Sequence, residues 1–256
     1  MHVILTGATG LVGSAALVAL RARTDISKIS ILSRRPVPML EDNTDDRIQV
    51  ILHDFKRYDS SLKERLSGAQ GCVWALGISQ NAVSKEEYVH ITKDMTLEAA
   101  EAFQQLKLQD SDHFQFVFVS GEGATSEPGP FTALFGRVKG ETESALAEIE
   151  SRNPQFKTVT VRPAFVDPSG HQAILPWIPQ GSILKRFGES IIGPPIRAFY
   201  TRMHSPTAPL GEFLAGLAAG HYNHQMLRGE GVETRGASLI INNAGFRRVM
   251  GLDGQR

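Results

Sequence analysis

The sequence predicts an α/β fold, a doubly wound parallel sheet followed by a small loop-rich C-terminal lobe. Three observations carry that expectation. Short apolar runs at 2–5, 28–33, 48–52, 71–77, 114–120 and 158–163 alternate with segments of helical apolar spacing. Such alternation is the pattern of parallel strands joined by helical crossovers. A glycine turn, T-G-A-T-G-L-V-G over 6–13, joins the first run to the first helix. From Ala164 the texture changes, with Pro and Gly punctuating large apolar residues, which reads as irregular chain.

Composition sets the bounds. The chain has 256 residues, 41% hydrophobic and 21% charged, enough for a sizeable core. Residues 1–166 are expected to form a dinucleotide-binding domain. Residues 167–256 supply a substrate-covering lobe plus a late helix and edge strand of that domain. Basic and acidic residues number 27 each, a formal charge of zero, so no basic excess points to nucleic acid. The single cysteine, Cys72, lies in an apolar run and reads as a core residue in a reducing, cytoplasmic setting. No apolar run reaches the ~18 residues of a membrane span. The N-terminus runs straight into the first strand, which leaves no room for a cleaved signal. A small-molecule substrate is the expected partner, and oligomeric state is open.

The glycine turn is the most specific motif. Gly7 permits a tight turn off the strand His2–Leu5, Gly10 lets backbone approach a pyrophosphate, and Gly13 lets the helix pack on the strand. Free N–H groups at the helix start, from Thr9 through Gly10, Leu11 and Val12 to Gly13, would face the phosphates with help from the helix dipole. The second strand, 28–33, ends in Arg34-Arg35. About 20 residues after the turn, an acidic side chain would hold a ribose 2′-hydroxyl. Two guanidinium forks instead match the 2′-phosphate of NADP(H), and position and charge favour this over two merely solvated arginines. The third strand, 48–52, closes with Asp54-Phe55. Asp54 either accepts from an adenine amino group or caps a short helix over 59–67 that turns Leu62 and Leu66 inward.

The fourth strand exits at Gly77, beside the cofactor at the carboxyl edge. Residues 84–108 read as one long helix, with Tyr88, Ile91, Met95 and Ala99 at helical spacing, Thr92 and Lys93 on its flank, and His90 an exposed helix residue. The fifth strand ends at Ser120, where ligands sit in open α/β sheets. A loop over 126–131 leads to a helix over 132–151 on which Phe135 and Lys139 share a face. The sixth strand, 158–163, stops at Pro163. In the lobe, Ile174, Leu175, Trp177, Ile178, Ile183, Leu184, Phe187, Ile191, Ile192 and Phe199 would shape an apolar pocket. A helix follows over 207–221, then a strand over 237–242 at the sheet edge. The tail from Arg247 has little to bury.

In this order the motifs resemble the short-chain dehydrogenase/reductase superfamily, its atypical branch, and within that the TIP30-like and NmrA-like Rossmann proteins. The likeness covers about residues 1–166. It implies an NADP(H)-dependent oxidoreductase in which Ser120 polarises a carbonyl and Lys139 binds the nicotinamide ribose. It also places the cofactor on the glycine turn, Arg34, Arg35, Asp54, Phe55, Gly77 and Pro163. The chain departs from that pattern at its centre. Where the superfamily has a proton-donating tyrosine four residues before the lysine, this sequence has Phe135, which carries no titratable group. The helical asparagine of the family is also replaced, with Thr92 near its place. Three readings follow. The proton comes from elsewhere (Tyr88, Tyr200, His204, His171, or water relayed by Ser120), or the pocket serves a non-redox enzyme, or the chain is a non-catalytic NADP(H)-binding regulator.

Overall fold

The computed structural model describes residues 1–108, 113–178, 201–223 and 225–253. Its framework is an eight-stranded sheet in the order β3-β2-β1-β4-β5-β6-β10-β9. The parallel strands are β1 (His2–Thr6), β2 (Lys28–Ser33), β3 (Ile48–Leu52), β4 (Gly71–Trp74), β5 (Phe114–Val119), β6 (Phe156–Arg162) and β10 (Ser238–Asn242). Chain reversal on either side of β1 is the doubly wound arrangement, which opens a crevice at the carboxyl ends of β1 and β4.

Helices cover both faces. On one, α1 (Leu11–Ala22) and α6 (Thr207–Ala218) bury Leu17, Leu20, Leu210, Phe213 and Leu214 against Val3, Leu5, Val73 and Val117. On the other, α2 (Ser60–Arg65), α4 (Met95–Phe103) and α5 (Leu134–Arg152) enclose a core in which aromatic rings pack among aliphatic side chains. Phe114 stacks on Phe156 at 5.5 Å, and Trp74 stacks on Phe116 at 5.8 Å. The indole N–H of Trp74 donates to Thr96 Oγ1 at 2.8 Å, so the buried ring keeps its polar partner. Cys72 is fully buried here, and burial pushes its thiol pKa well up. Among the described residues no helix is long and apolar enough to cross a membrane.

The structure departs from the sequence expectation in several places. The helix expected over 84–108 is three pieces, α3 (Lys85–Val89), a π-helical turn (His90–Asp94) and α4 ending at Phe103. The wider turn rotates Thr92 from the flank into the interior, where it is buried. His90 is exposed, as read. The late strand β10 is not the sheet edge, because β9 (Val232–Arg235) pairs antiparallel outside it. With residues half-exposed or exposed throughout, β9 lacks the apolar run that would announce it. The tail has more to bury than its composition promised. At the end of α7 (Asn243–Val249), Arg247 is buried, its guanidinium held by Asp253 and by the carbonyls of His204 and Leu252, and Val249, Met250 and Leu252 pack against the core.

Beyond β6 the chain forms β7 (Phe165–Asp167), which pairs parallel with β8 (His204–Pro206) as a two-stranded sheet. Ile174 and Ile178 are buried against Ala15, Leu11 and Val18 of α1, so they anchor the lobe rather than line a pocket, while Trp177 is 42% exposed. Ile183, Leu184, Phe187, Ile191, Ile192, Phe199 and Tyr200 lie outside the described residues.

Candidate active site

The glycine turn is built as its spacing requires. Gly7 has φ +70°, and a Cβ on it would meet Ala75 O at 2.2 Å. A Cβ on Gly13 would lie 2.0 Å from Gly7 O, so helix and turn can touch only through glycine. Gly10 differs. Its φ of −101° suits any residue, and a Cβ there would meet nothing of the protein closer than Gly7 O at 3.3 Å. Gly10 N–H donates to Gly7 O at 2.8 Å, and Gly10 is the N-cap of α1 with no side chain capping the helix. Thr9, Gly10, Leu11 and Val12 are half-buried around this uncapped, positively polarised helix start. Facing them from β4, Leu76 N–H donates to Thr6 Oγ1 at 3.1 Å, and a Cβ on Gly77 would meet nothing within 4 Å. A cradle with donors on one side and open space on the other fits a pyrophosphate.

Next along the same edge, Ser33 Oγ donates to Arg35 O at 2.7 Å and fixes the β2 exit. Arg34 and Arg35 are exposed, and no carboxylate among the described residues pairs with either. Asp54 is not the helix cap. Asp59 performs that task, accepting from Leu62 N–H at 2.8 Å, while Asp54 Oδ1 accepts from Lys56 N–H at 3.0 Å. Phe55 has φ +63°, the only left-handed non-glycine residue among those described. Its ring packs edge-on to Trp74 at 5.8 Å and to His53 at 5.1 Å, which holds the strained backbone.

At the far end of the edge, α5 meets the exits of β5 and β6. Lys139 Nζ donates to Ser120 O at 2.5 Å and reaches Val119 O at 3.4 Å. Burial lowers the Lys139 pKa to about 8, with Glu143 pulling the other way. Ser120 is 3% exposed, and its hydroxyl donates to Glu143 Oε1 at 2.6 Å. Glu143, fully buried one turn after Lys139, also takes a two-pronged bond from Arg162, from Nε at 3.0 Å and Nη2 at 2.5 Å. The Ser120 hydroxyl is therefore turned into a buried ionic network rather than toward the cleft. The Phe135 ring lies against Gly123, and its N–H donates to Gln80 Oε1 at 2.9 Å. Pro163 is buried, and its carbonyl accepts from Glu122 N–H at 2.9 Å, tying the two strand exits together.

Residues 3–164, from the first strand through the exit of β6, match the NAD dependent epimerase/dehydratase family. The chain belongs to that family. Two relatives extend the match. One is "Botcinic acid biosynthesis cluster B protein 16" of Botryotinia fuckeliana, 57% identical over 62% of this chain and 99% of its own length. The other is "Leucinostatins biosynthesis cluster protein T" of Purpureocillium lilacinum, 33% identical over 93% of this chain and 90% of its own. Among solved structures, a Brucella melitensis short-chain dehydrogenase/reductase, described as SDR:Glucose/ribitol dehydrogenase, superposes with a TM-score of 0.63 at 17% identity. It covers 95% of both chains, a likeness of fold.

Within this epimerase/dehydratase frame the other titratable residues separate. Tyr88 is 1% exposed, and burial raises its pKa. His171 Nδ1 is 3.2 Å from Thr207 Oγ1, in a groove toward the C-terminal end of α1 with Ala19, Ala22 and Arg23. His204 Nε2 lies 2.9 Å from Asp167 Oδ2. Tyr200 lies outside the described residues. Glu143, Asp167 and Glu122 escaped the sequence reading. An acid on the stripe Val138, Thr142, Leu146 and Ile149 of α5 could have flagged Glu143, whereas the Asp167–His204 pairing spans 37 residues and carries no local pattern.

Proposed function

We propose that the chain is an NADP(H)-dependent oxidoreductase acting on a small, apolar or aromatic carbonyl compound. Family membership and the names of the two relatives, both tied to biosynthesis clusters, support an enzyme of this type in specialised biosynthesis. The observation that carries the reading is Lys139, half-buried with its ammonium at the carboxyl end of β5, on the same edge as the open glycine cradle. A bound nicotinamide dinucleotide supplies a hydride.

The chain's own residues do the rest. The N–H groups of 11–13 take the pyrophosphate, Arg34 and Arg35 take the 2′-phosphate, and Asp54 and Phe55 flank the adenine. Gly77 leaves room for the dinucleotide at the β4 exit. Lys139 donates to the ribose hydroxyls with the hydrogen left over from its two carbonyls. Ser120 and Glu143 hold the strand exit on which Lys139 rests, and Ser120 meets a substrate oxygen only by leaving Glu143.

A second reading, a non-catalytic NADP(H)-responsive regulator, is favoured by Phe135 alone. Bound NADPH mixed with a panel of ketones and quinones in a stopped-flow fluorimeter separates the two. Oxidation of the nicotinamide by at least one carbonyl is expected. A parent chain that oxidises none, together with a Phe135→Tyr variant that does, assigns the native chain to the regulator or to non-redox chemistry.

A further inference from the structure

We infer that His204, held by Asp167, is the acid–base residue that stands in for the phenol missing at residue 135. The inference rests on the reductase reading above. Among the described residues four other titratable groups compete for the role, and the geometry removes them in turn. Tyr88 is 1% exposed and closed off from the cleft by its burial. His171 opens toward the wrong end of α1. Glu122 spends Oε2 on Asn243 N–H at 3.3 Å, at the start of α7. Lys139 gives two hydrogens to strand-end carbonyls and its third to the ribose.

His204 has what an acid–base residue requires, an orienting partner on one side and a free nitrogen on the other. Its Nε2 meets Asp167 Oδ2 at 2.9 Å. The carboxylate is nearly inaccessible, its side chain 3% exposed, while the imidazole is 19% exposed. Among the described residues no partner engages His204 Nδ1. A carboxylate cannot donate when ionised, so it fixes the proton on Nε2 and leaves Nδ1 to exchange a proton outward.

The position is also right. Strand β7 leaves the carboxyl end of β6 after only Pro163 and Ala164, and Ala164 N–H donates to Ser205 Oγ at 2.9 Å. Asn243 then fastens this corner. Its Oδ1 accepts from Ser205 Oγ at 2.6 Å, its Nδ2 donates to Arg202 O at 2.6 Å, and its own N–H reaches Glu122 on the β5 exit. His204 thus stands beside the exits of β5 and β6, where Lys139 also lies. Among the described residues, the charged groups around it are Asp167 from β7, Arg247 from α7, which donates to His204 O at 2.9 Å and pairs with Asp253, and Glu122 by way of Asn243.

The step balances with a reduced nicotinamide as hydride donor. The hydride bonds to the carbonyl carbon, and the C=O π pair moves onto oxygen. That oxygen takes the proton from Nδ1 of the His204 imidazolium, which gives the alcohol. The imidazole is left neutral with Nε2–H still on Asp167, and solvent restores the proton.

The test uses the full chain. In His204→Gln, calorimetry should give the parental NADPH affinity while carbonyl turnover falls by about 10²–10⁴. In His204→Ala, added imidazole should restore part of the turnover, which a purely structural role would not allow. Without any cofactor, ¹⁵N NMR of neutral His204 should report the Nε2–H tautomer, lost in Asp167→Asn. Parental turnover in both His204 variants, or an Nδ1–H tautomer in the parent, overturns the assignment while leaving the reductase reading intact. So does loss of turnover in Glu122→Gln with the His204 variants active. A parent that binds NADPH yet reduces no carbonyl overturns both.

Discussion

The two ends of the sheet's carboxyl edge contrast in what makes them work. At the β1–β2 end, the site is backbone. Gly7, Gly10 and Gly13 matter for what they lack, and their spacing alone sets the shape of the cradle. At the β5–β6 end, the site is side chain, and the same family frame carries different assignments. Phe135 stands where a phenol is expected, and the Ser120 hydroxyl donates its hydrogen bond to Glu143 rather than toward the cleft. The comparison teaches that a backbone site survives a change of chemistry. Its requirements are steric and written over eight consecutive residues, whereas a proton-transfer site depends on single side chains brought from distant strands.

The contrast can be broken most forcefully at Gly13. A Cβ 2.0 Å from Gly7 O cannot be absorbed by a flexible side chain, because both partners are backbone. Gly13→Ala should destabilise the fold by about 3 kcal/mol or more, read as a drop in urea midpoint. A variant with an unchanged midpoint would mean that α1 does not seat on the turn.

A comparable loss is expected at the other end from Glu143→Ala. It leaves Arg162, 12% exposed, facing an empty buried site where an ion pair had been. Removing one partner of such a pair costs about 3–5 kcal/mol. Here the stability loss should come with weakened NADPH binding, since Ser120 and Lys139 both rest on the same strand exit.

Smaller effects sharpen the comparison. Losing one charge-assisted bond of about 1.5–3 kcal/mol should weaken NADPH about tenfold or more in Arg34→Ala or Arg35→Ala. NADH affinity should hardly move. Calorimetry showing equal losses for both dinucleotides would remove the 2′-phosphate assignment.

Smaller again is a pH effect at Lys139. Its pKa is held down to about 8 by burial. The ammonium is therefore charged at pH 7 and loses its proton as pH rises through about 8, well below the usual lysine range. A charged donor bonds about twice as strongly as a neutral one, so NADPH affinity should fall by several-fold between pH 7 and 9. The fall should be absent in Lys139→Met. A parental affinity flat across that window would mean that Lys139 does not touch the cofactor.

How much of this was legible in the sequence follows the same division. Strands β1 to β6 and the glycine turn announce themselves because apolar runs and glycine spacing are local. Strand β9 does not, since Glu233 and Thr234 face solvent and only pairing with β10 orders them. The π turn at His90–Asp94 has no signature either. It widens a helix whose apolar spacing reads the same on both sides, and Thr92 goes inside as a result. Ser120 was found by position, but the direction of its hydroxyl depends on Glu143 from α5, 23 residues on. His204 and Asp167 meet only because β7 and β8 pair across the lobe.

The central claim is that a dinucleotide lies across the turn at 6–13, and Gly10 tests it most directly. The position has ordinary backbone angles, and a Cβ there meets only Gly7 O, at 3.3 Å, a tight contact that a shift of a few tenths of an ångström relieves, so a substitution should cost the fold little and fall mainly on a ligand. Isothermal titration of NADPH into the parent and into Gly10→Val, each checked by thermal melting, makes the comparison. The account predicts similar melting for both and no measurable binding in the variant. Parental affinity in a folded Gly10→Val chain would contradict it.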